Sequence, residues 1–397
     1  MNFEQIKQLD EQYIMHTYKR FEVAFTSGEG AILKDSSDKT YIDFSSGIGT
    51  SSLGYNHPDW VKAVTGQVSS LAHCSNLYYN PQMALVAKRI CEKTGMAHVF
   101  FGNSGAEANE GAIKLARKYS FIKYGEKAQR NIIVTLQNSF HGRTITTLAA
   151  TGQDTFHSYY FPFTDGFVYA KPDMESVKEV LSDKVCAVMI ESIQGEGGVL
   201  PLNKTFVQQL RTLLNEKDIL LIADEVQTGC GRTGRFLGID NFDVKPDIFT
   251  LAKGLAGGLP IGAVVCNKKL QETFTYGDHG STFGGNPVSC AGANVVLDKV
   301  CDDTFLDKIR KKGQFMQDVL CQTLKENITD IRGFGLMIGI DMKAPLDAKK
   351  VATCALNHGV AVLTAKSSLR FLPPLIITEE EIKEGVHRLS AAVNELL

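Results

Sequence analysis

Ile219-Leu-Leu-Ile-Ala-Asp-Glu225 and Ile248-Phe-Thr-Leu-Ala-Lys-Gly254 are the two stretches on which the reading of the fold turns. Each is a short apolar run without polar alternation, and each ends in charge. That is the pattern of a strand covered on both faces of a parallel sheet. His98–Phe101, Asn131–Leu136, Val185–Ile190 and Gly262–Cys266 read the same way. Amphipathic stretches lie between them: Thr205–Glu216 sets Phe206, Leu210, Leu213 and Leu214 on one helical face. Ser104-Gly-Ala-Glu107 fits a capping box opening a helix over Ala108–Lys118. Asn286-Pro287 supplies an N-cap and an N1 proline for a helix running to about Asp298.

Past that helix the texture changes. Asp302–Asn327 is a charged amphipathic helix, Gly333–Met342, Val360–Leu363 and Leu369–Leu372 read as strands, and Glu379–Leu397 as a closing helix. Near the start, Ala31–Lys34 and Thr40–Phe44 read as a hairpin. The expected fold class is α/β: a large domain over residues 61–289 with a mostly parallel sheet, and a smaller α+β domain from 1–60 and 290–397.

Composition narrows the function. With 44% hydrophobic and 22% charged residues over 397 positions, the chain can bury a core and is not disordered. A net charge of −2 offers no broad field for nucleic acid or an anionic membrane. No run approaches the ~18 apolar residues of a membrane span. Nine cysteines, an odd number without C-x-x-C spacing, predict reduced thiols in a cytoplasmic protein. Met1–Lys19 has neither signal- nor transit-peptide character.

In open α/β sheets ligands sit at the carboxyl ends of strands, so Asp224 and Lys253 are expected to face one crevice. Taken singly, such residues are more often a strand-end cap and a surface charge. A magnesium-binding strand of a nucleotide hydrolase requires a G-x-x-x-x-G-K-[ST] loop, and the dipeptide Gly-Lys occurs nowhere in the chain. A pyridoxal phosphate site requires a lysine to form an imine and an aspartate to hold the pyridine nitrogen protonated. It also needs a phosphate cradle, and Gly105 and Ala106 offer free N–H groups at a helix N-terminus. Other signals are weaker. Gly229-Cys-Gly-Arg-Thr-Gly234 matches G-x-G-x-x-G but leads into no clear helix, and Gly102-Asn-Ser-Gly-Ala106 lacks the last glycine of a serine-hydrolase elbow. Neither histidines nor cysteines show zinc spacing, so no metal site is expected.

Seven motifs then carry a resemblance. Asn103-Ser-Gly-Ala-Glu-Ala-Asn-Glu110, Phe140-His-Gly-Arg-Thr144, Glu191-Ser-Ile-Gln-Gly-Glu-Gly-Gly198, Asp224-Glu-Val-Gln-Thr-Gly229, Leu251-Ala-Lys-Gly254, His279-Gly-Ser-Thr-Phe-Gly-Gly-Asn-Pro287 and Leu369-Arg-Phe-Leu-Pro-Pro374 resemble, in order and over most of the chain, the class III aminotransferases. Ser192 stands where the family commonly has proline and Ala106 where threonine is frequent; neither change removes a group the chemistry needs. Ser75-Asn-Leu-Tyr78 and Gly195-Glu-Gly-Gly198 are most similar to members acting on N-acetylornithine, whereas ornithine members usually carry Gly-Glu-Ala-Gly.

The resemblance implies the fold type I architecture of pyridoxal-phosphate-dependent transferases and a set of roles. Lys253 would bind the cofactor aldehyde and shuttle the proton, Asp224 pair with the ring nitrogen, and Gln227 bond the ring hydroxyl. Phe140 and Val226 would cover the ring faces. Gly105 and Ala106 would hold the phosphate, with Thr282 and Ser281 reaching it from the other subunit of a homodimer; Ser281 is also a substrate-binding candidate. Arg143 would bind the α-carboxylate of N-acetylornithine and then the distal carboxylate of 2-oxoglutarate. Arg370 would fork onto the 2-oxoglutarate α-carboxylate, with Glu196 masking it in the first half-reaction. Sister activities on ornithine, succinylornithine or 4-aminobutyrate, a same-fold aminomutase and a catalytically inert cofactor-binding protein are the alternatives. The 36 glycines, clustered in these motifs, are expected to let backbone approach the ring and the phosphate.

Overall fold

The computed structural model describes residues 1–397. Its central sheet has seven strands: β1 (His98–Gly102), β2 (Ile132–Leu136), β3 (Phe167–Ala170), β4 (Val185–Ile190), β5 (Leu220–Asp224), β6 (Ile248–Leu251) and β7 (Gly262–Cys266). They lie side by side in the order β1-β7-β6-β5-β4-β2-β3. Strands β4, β5, β6 and β7 are buried at every position, which is why their sequences show no alternation.

Burial did not disclose direction. β7 runs antiparallel to both β6 and β1, while β2 to β6 pair in parallel. A strand covered on both faces reads as a solid apolar run whichever way it points. Strand β3, an edge strand with Phe167 and Val168 only half-buried, carried no such signal and is an addition to the expected set.

Helix Gly105–Tyr124 covers one face with Ala108, Ala112, Ile113, Leu115 and Ala116 buried. Its N-cap is Ser104, whose hydroxyl accepts from the Glu107 N–H (3.2 Å). The Glu107 carboxylate, however, reaches past the cap to the Asn103 N–H (2.9 Å), so the helix opens at Gly105. Helix Lys204–Glu216 packs Phe206, Val207, Leu210 and Leu214 into the core, close to expectation. Asn286 caps helix Pro287–Val300 through the Val288 and Ser289 N–H groups.

Beside the large sheet stand two four-stranded sheets and a two-stranded one, Ile193–Gln194 with Leu200–Pro201. In the first, Ile32–Asp35 and Thr40–Asp43 form the expected hairpin, Phe25–Glu29 adds an outer strand, and Val360–Ala361 closes it in parallel with Thr40–Asp43. The second joins Ile328–Phe334, Met337–Met342, Ser368–Phe371 and Leu363–Ala365. Two expectations change here. Gly333–Met342 is not one strand: Gly335, at φ +53°, turns the chain into an antiparallel hairpin. The run Val360–Leu363 divides between the two sheets, because its ends pair with different partners.

Candidate active site

Along one edge of the large sheet, neighbouring parallel strands end at the same level. Asp224 closes β5 opposite Thr250 of β6, and Ala223 stands opposite Ile190 of β4. Glu191 follows β4 directly, and Lys253 lies two residues past the end of β6. Asp224, Glu191 and Lys253 therefore enter a single cavity of about 410 Å³. Gly105, Ala106, Phe140, Arg143, Val226 and Gln227 line it as well.

Asp224 is held in place by three contacts. Its Oδ2 accepts from Asn109 Nδ2 (2.8 Å) and lies 2.8 Å from His141 Nδ1, and its Oδ1 accepts from the Val226 N–H (3.0 Å). Asn109 in turn accepts from the Thr250 hydroxyl (2.8 Å) and donates to the His141 carbonyl (2.7 Å). We assign a hydrogen to His141 Nδ1, since a carboxylate oxygen only accepts. His141 Nε2 is buried without a partner. Neither Asn109 nor His141 had a role in the sequence reading; both lie inside quoted motifs, but their convergence on Asp224 required the fold.

Glu191 also emerges only here. One carboxylate oxygen accepts from the Phe140 N–H (2.8 Å) and the other from the Gly195 N–H (3.1 Å), clamping two site loops together. Burial pushes its carboxyl above the ordinary range, with His141 opposing and Asp224 adding to the rise.

Lys253 opens a short 3₁₀ turn at φ +40°, an unusual conformation for a residue with a side chain. Burial pushes its ammonium below the ordinary value; Glu196 opposes the shift and Arg370 adds to it. A buried amine of that kind is easier to deprotonate, as a nucleophile or base requires.

Glu196 and Arg370 meet just behind Gln227. Arg370 Nη1 donates to Glu196 Oε1 (2.5 Å) and stands 3.4 Å from Gln227 Oε1, while its Nε is buried with no partner. Burial raises the Glu196 carboxyl, but the charge and hydrogen bond of Arg370 outweigh that and hold it below the ordinary range. Arg143 is exposed and lies over the Phe156 ring, 4.0 Å from its centroid, and more distantly over Phe140.

Ser281 and Thr282 stand outside the cavity of their own chain. Ser281 Oγ accepts from Asn103 Nδ2 (3.1 Å) and from the Gly284 N–H (3.0 Å), and Thr282 is exposed. The glycines act one step removed from expectation. A Cβ on Gly105 would lie 2.6 Å from Val226 Cγ1, and one on Gly195 would lie 2.3 Å from Gln227 Oε1. They make room for the side chains that wall the cavity.

The residues present fit pyridoxal phosphate. The buried Asp224 carboxylate and the half-buried Lys253 face one cavity, which Phe140 and Val226 also line. The N–H groups of Gly105 and Ala106 open helix Gly105–Tyr124, where the first turn has no intrahelical acceptors and an anion is favoured.

Replacing Asn109 with Ala would leave the Thr250 hydroxyl and the inner side of Asp224 without their buried partner. The expected cost is about 1–3 kcal/mol of stability, read by urea unfolding of the cofactor-free protein.

Comparison with known proteins agrees with this geometry. The aminotransferase class-III family model matches residues 13–393. Acetylornithine aminotransferase of Haemophilus ducreyi is 50% identical, covering 100% of both chains, and that of Caldanaerobacter subterraneus is 46% identical over 98% of each. Among solved structures, ornithine aminotransferase of Toxoplasma gondii superposes with a TM-score of 0.95 at 32% identity, covering 100% of this chain and 96% of the other. N-acetylornithine aminotransferase of Stenotrophomonas maltophilia gives 0.84 at 34% identity, covering 98% of each. The chain belongs to the class III aminotransferases.

Proposed function

We propose that this protein is an N-acetylornithine:2-oxoglutarate aminotransferase of arginine biosynthesis, working by ping-pong transfer of the δ-amine. The observation that carries the reading is the Lys253–Asp224 pair in one cavity, with the Glu196–Arg370 ion pair beside it. Full-length identity of 50% to an acetylornithine enzyme supports this choice of substrate.

Pyridoxal phosphate, when bound, supplies the aldehyde that takes up the amine and a ring that stores the electron pair released at the reacting carbon. The protein does the rest. Asp224, oriented by Asn109, His141 and the Val226 N–H, would pair with the ring nitrogen and keep it protonated. Phe140 and Val226 would cover the ring, and Gln227 would bond its hydroxyl. The Gly105 and Ala106 N–H groups would hold the phosphate. Lys253 Nζ removes the proton from the δ-carbon of N-acetylornithine in the first half-reaction. In the second it returns one to the α-carbon of the nascent glutamate.

Arg143 binds the α-carboxylate of N-acetylornithine, leaving the δ-amine at the chemistry. Glu196 meanwhile neutralises Arg370, so no free guanidinium draws an α-carboxylate to that end. When 2-oxoglutarate enters, its α-carboxylate displaces Glu196 from Arg370, and Arg143 takes the distal carboxylate. Replacing Glu196 with Gln is expected to shift the preference between δ-amine and α-amine donors by about 10-fold, roughly 1.4 kcal/mol, toward glutamate. Half-reaction rates measured with each donor alone check this.

The assembly we propose is a homodimer in which Ser281 and Thr282 reach the neighbour's phosphate. Asn76 donates to the carbonyls of Ser281 and Gly284, and Leu77, Tyr78, Tyr79 and Phe283 form exposed apolar surface beside them. Such a patch marks a contact face. A cytoplasmic location fits nine free cysteines, and no helix is long and apolar enough to cross a membrane. Helix Pro287–Val300 runs across the expected domain boundary. We therefore place the end of the large domain at the close of that helix.

The deciding experiment compares rates on N-acetylornithine, ornithine and succinylornithine with 2-oxoglutarate. Faster turnover of ornithine would reassign the substrate, and absence of glutamate release would indicate a mutase.

A further inference from the structure

On the side of the smaller sheets, two helices bring their C-terminal ends together. Helix Ala348–Asn357 carries Cys354 in its last turn and His358 immediately after it, and helix Glu379–Glu395 ends on Glu395. Cys354 and His358, four residues apart, project from one face. Cys354 Sγ, the ring nitrogen of His358 and a carboxylate oxygen of Glu395 all lie within 4.8 Å of one another. His358 Nε2 is 2.7 Å from Glu395 Oε2. Cys354 is 7% exposed, so its thiol is pre-positioned by packing.

Three features of this cluster point to a cation. The donors are a thiol, an imidazole and a carboxylate, a borderline-soft set that suits zinc-class ions and is poor for magnesium or calcium. The helix ending on Glu395 presents its negative C-terminal end to it, while Lys39 Nζ already caps the other helix through the Leu356 and Asn357 carbonyls. Glu395 has no lysine or arginine partner: its ion pair is with His358, and Arg388 bonds Glu384 and the Gly359 carbonyl. The spacing C-x-x-x-H with a distant carboxylate escapes a search for H-E-x-x-H or C-x-x-C, because the third donor comes from another helix.

We propose that Cys354, His358 and Glu395 form a zinc-class metal site with water as the fourth ligand. On binding, the Cys354 thiol releases its proton to solvent and becomes the thiolate ligand. Neutral His358 passes its Nε2 hydrogen, which had bonded Glu395, to Nδ1 through water, so that Nε2 and the Glu395 carboxylate can bind the metal. No electron is transferred. The site ties the C-terminal helix to the segment that runs through Gly359 into strand Val360–Ala361, which pairs with Thr40–Asp43. Its effect is therefore on the cohesion of the smaller sheets, away from Lys253.

The test uses the cofactor-loaded protein, stripped of metal with a chelator and titrated with Zn²⁺ against a chromophoric competitor. Cd²⁺ provides a second probe through its thiolate charge-transfer absorbance. One saturable equivalent per chain and a rise in Tm are expected. Cys354→Ser and His358→Gln should each weaken binding at least about 100-fold, more than loss of an outer-sphere partner does. Cys321→Ser, an exposed cysteine elsewhere, should change nothing. His358 lies just past its helix and is partly exposed, so His358→Gln keeps the test valid if Cys354→Ser folds poorly. Absence of a one-equivalent site in the wild type overturns the proposal, as does its retention in either ligand variant.

Discussion

Replacing Lys253 with Ala is expected to lower kcat by about 10⁴-fold or more while leaving the chain folded. In the proposed mechanism the lysine combines two functions, holding the cofactor aldehyde and moving the proton, and positioned acid–base catalysis alone is worth roughly 10²–10⁴. No other lysine lines the cavity to replace it. The absorbance of lysine-bound cofactor should vanish, and small added amines should restore a little turnover. Near-normal rates would remove Lys253 from the mechanism.

The same variant carries a stability signature. Burial depresses the Lys253 pKa below its ordinary 10.5 in the folded state. Between the depressed value and 10.5 the unfolded chain binds more protons than the folded one. Stability from this group therefore rises with pH across that window and is flat below it, where both states are protonated. In the cofactor-free protein, Lys253→Ala should abolish this part of the pH dependence and leave the variant at least as stable as wild type at neutral pH. Urea unfolding at several pH values above neutrality measures it.

The second large effect is expected at Asp224. Replacing it with Asn keeps the size but removes the charge that the proposed mechanism sets opposite the ring nitrogen, and it places an amide where Asn109 and His141 both direct donors. One of the amide's two ends must then meet a like group, so orientation is lost together with charge. The expected loss in kcat is about 10²–10⁴-fold, with substrate KM changed far less, because the proposed mechanism gives neither substrate a contact with this residue. His141→Asn should cost about 10- to 100-fold less than Asp224→Asn, since it acts only by orienting the carboxylate. Stopped-flow half-reactions would separate the two. Equal losses would mean that His141 takes part directly.

The residues proposed to perform the chemistry were the more legible ones. Asp224 and Lys253 each follow an apolar run at a strand end, and both the run and the charge are local features of sequence. Glu196 and Arg370 were paired through the family resemblance, and their contact spans 174 positions. Asn109 and His141 reach Asp224 from 115 and 83 positions away, with no local mark of the partnership.

What the sequence determined by itself was short-range: buried strands from unbroken apolar runs, helix starts from Ser104 and Asn286, and the charged strand ends. These depend on the solvation and hydrogen bonding of neighbours within a turn or two. What only the tertiary structure decided was direction and convergence. β7 runs against its neighbours because burial on both faces is blind to polarity. The run after Gly359 divides between sheets because each half finds a different edge. Asn109, His141, Glu191 and the Cys354–His358–Glu395 cluster acquire meaning only when chain crossovers set their atoms within hydrogen-bonding or ligating distance.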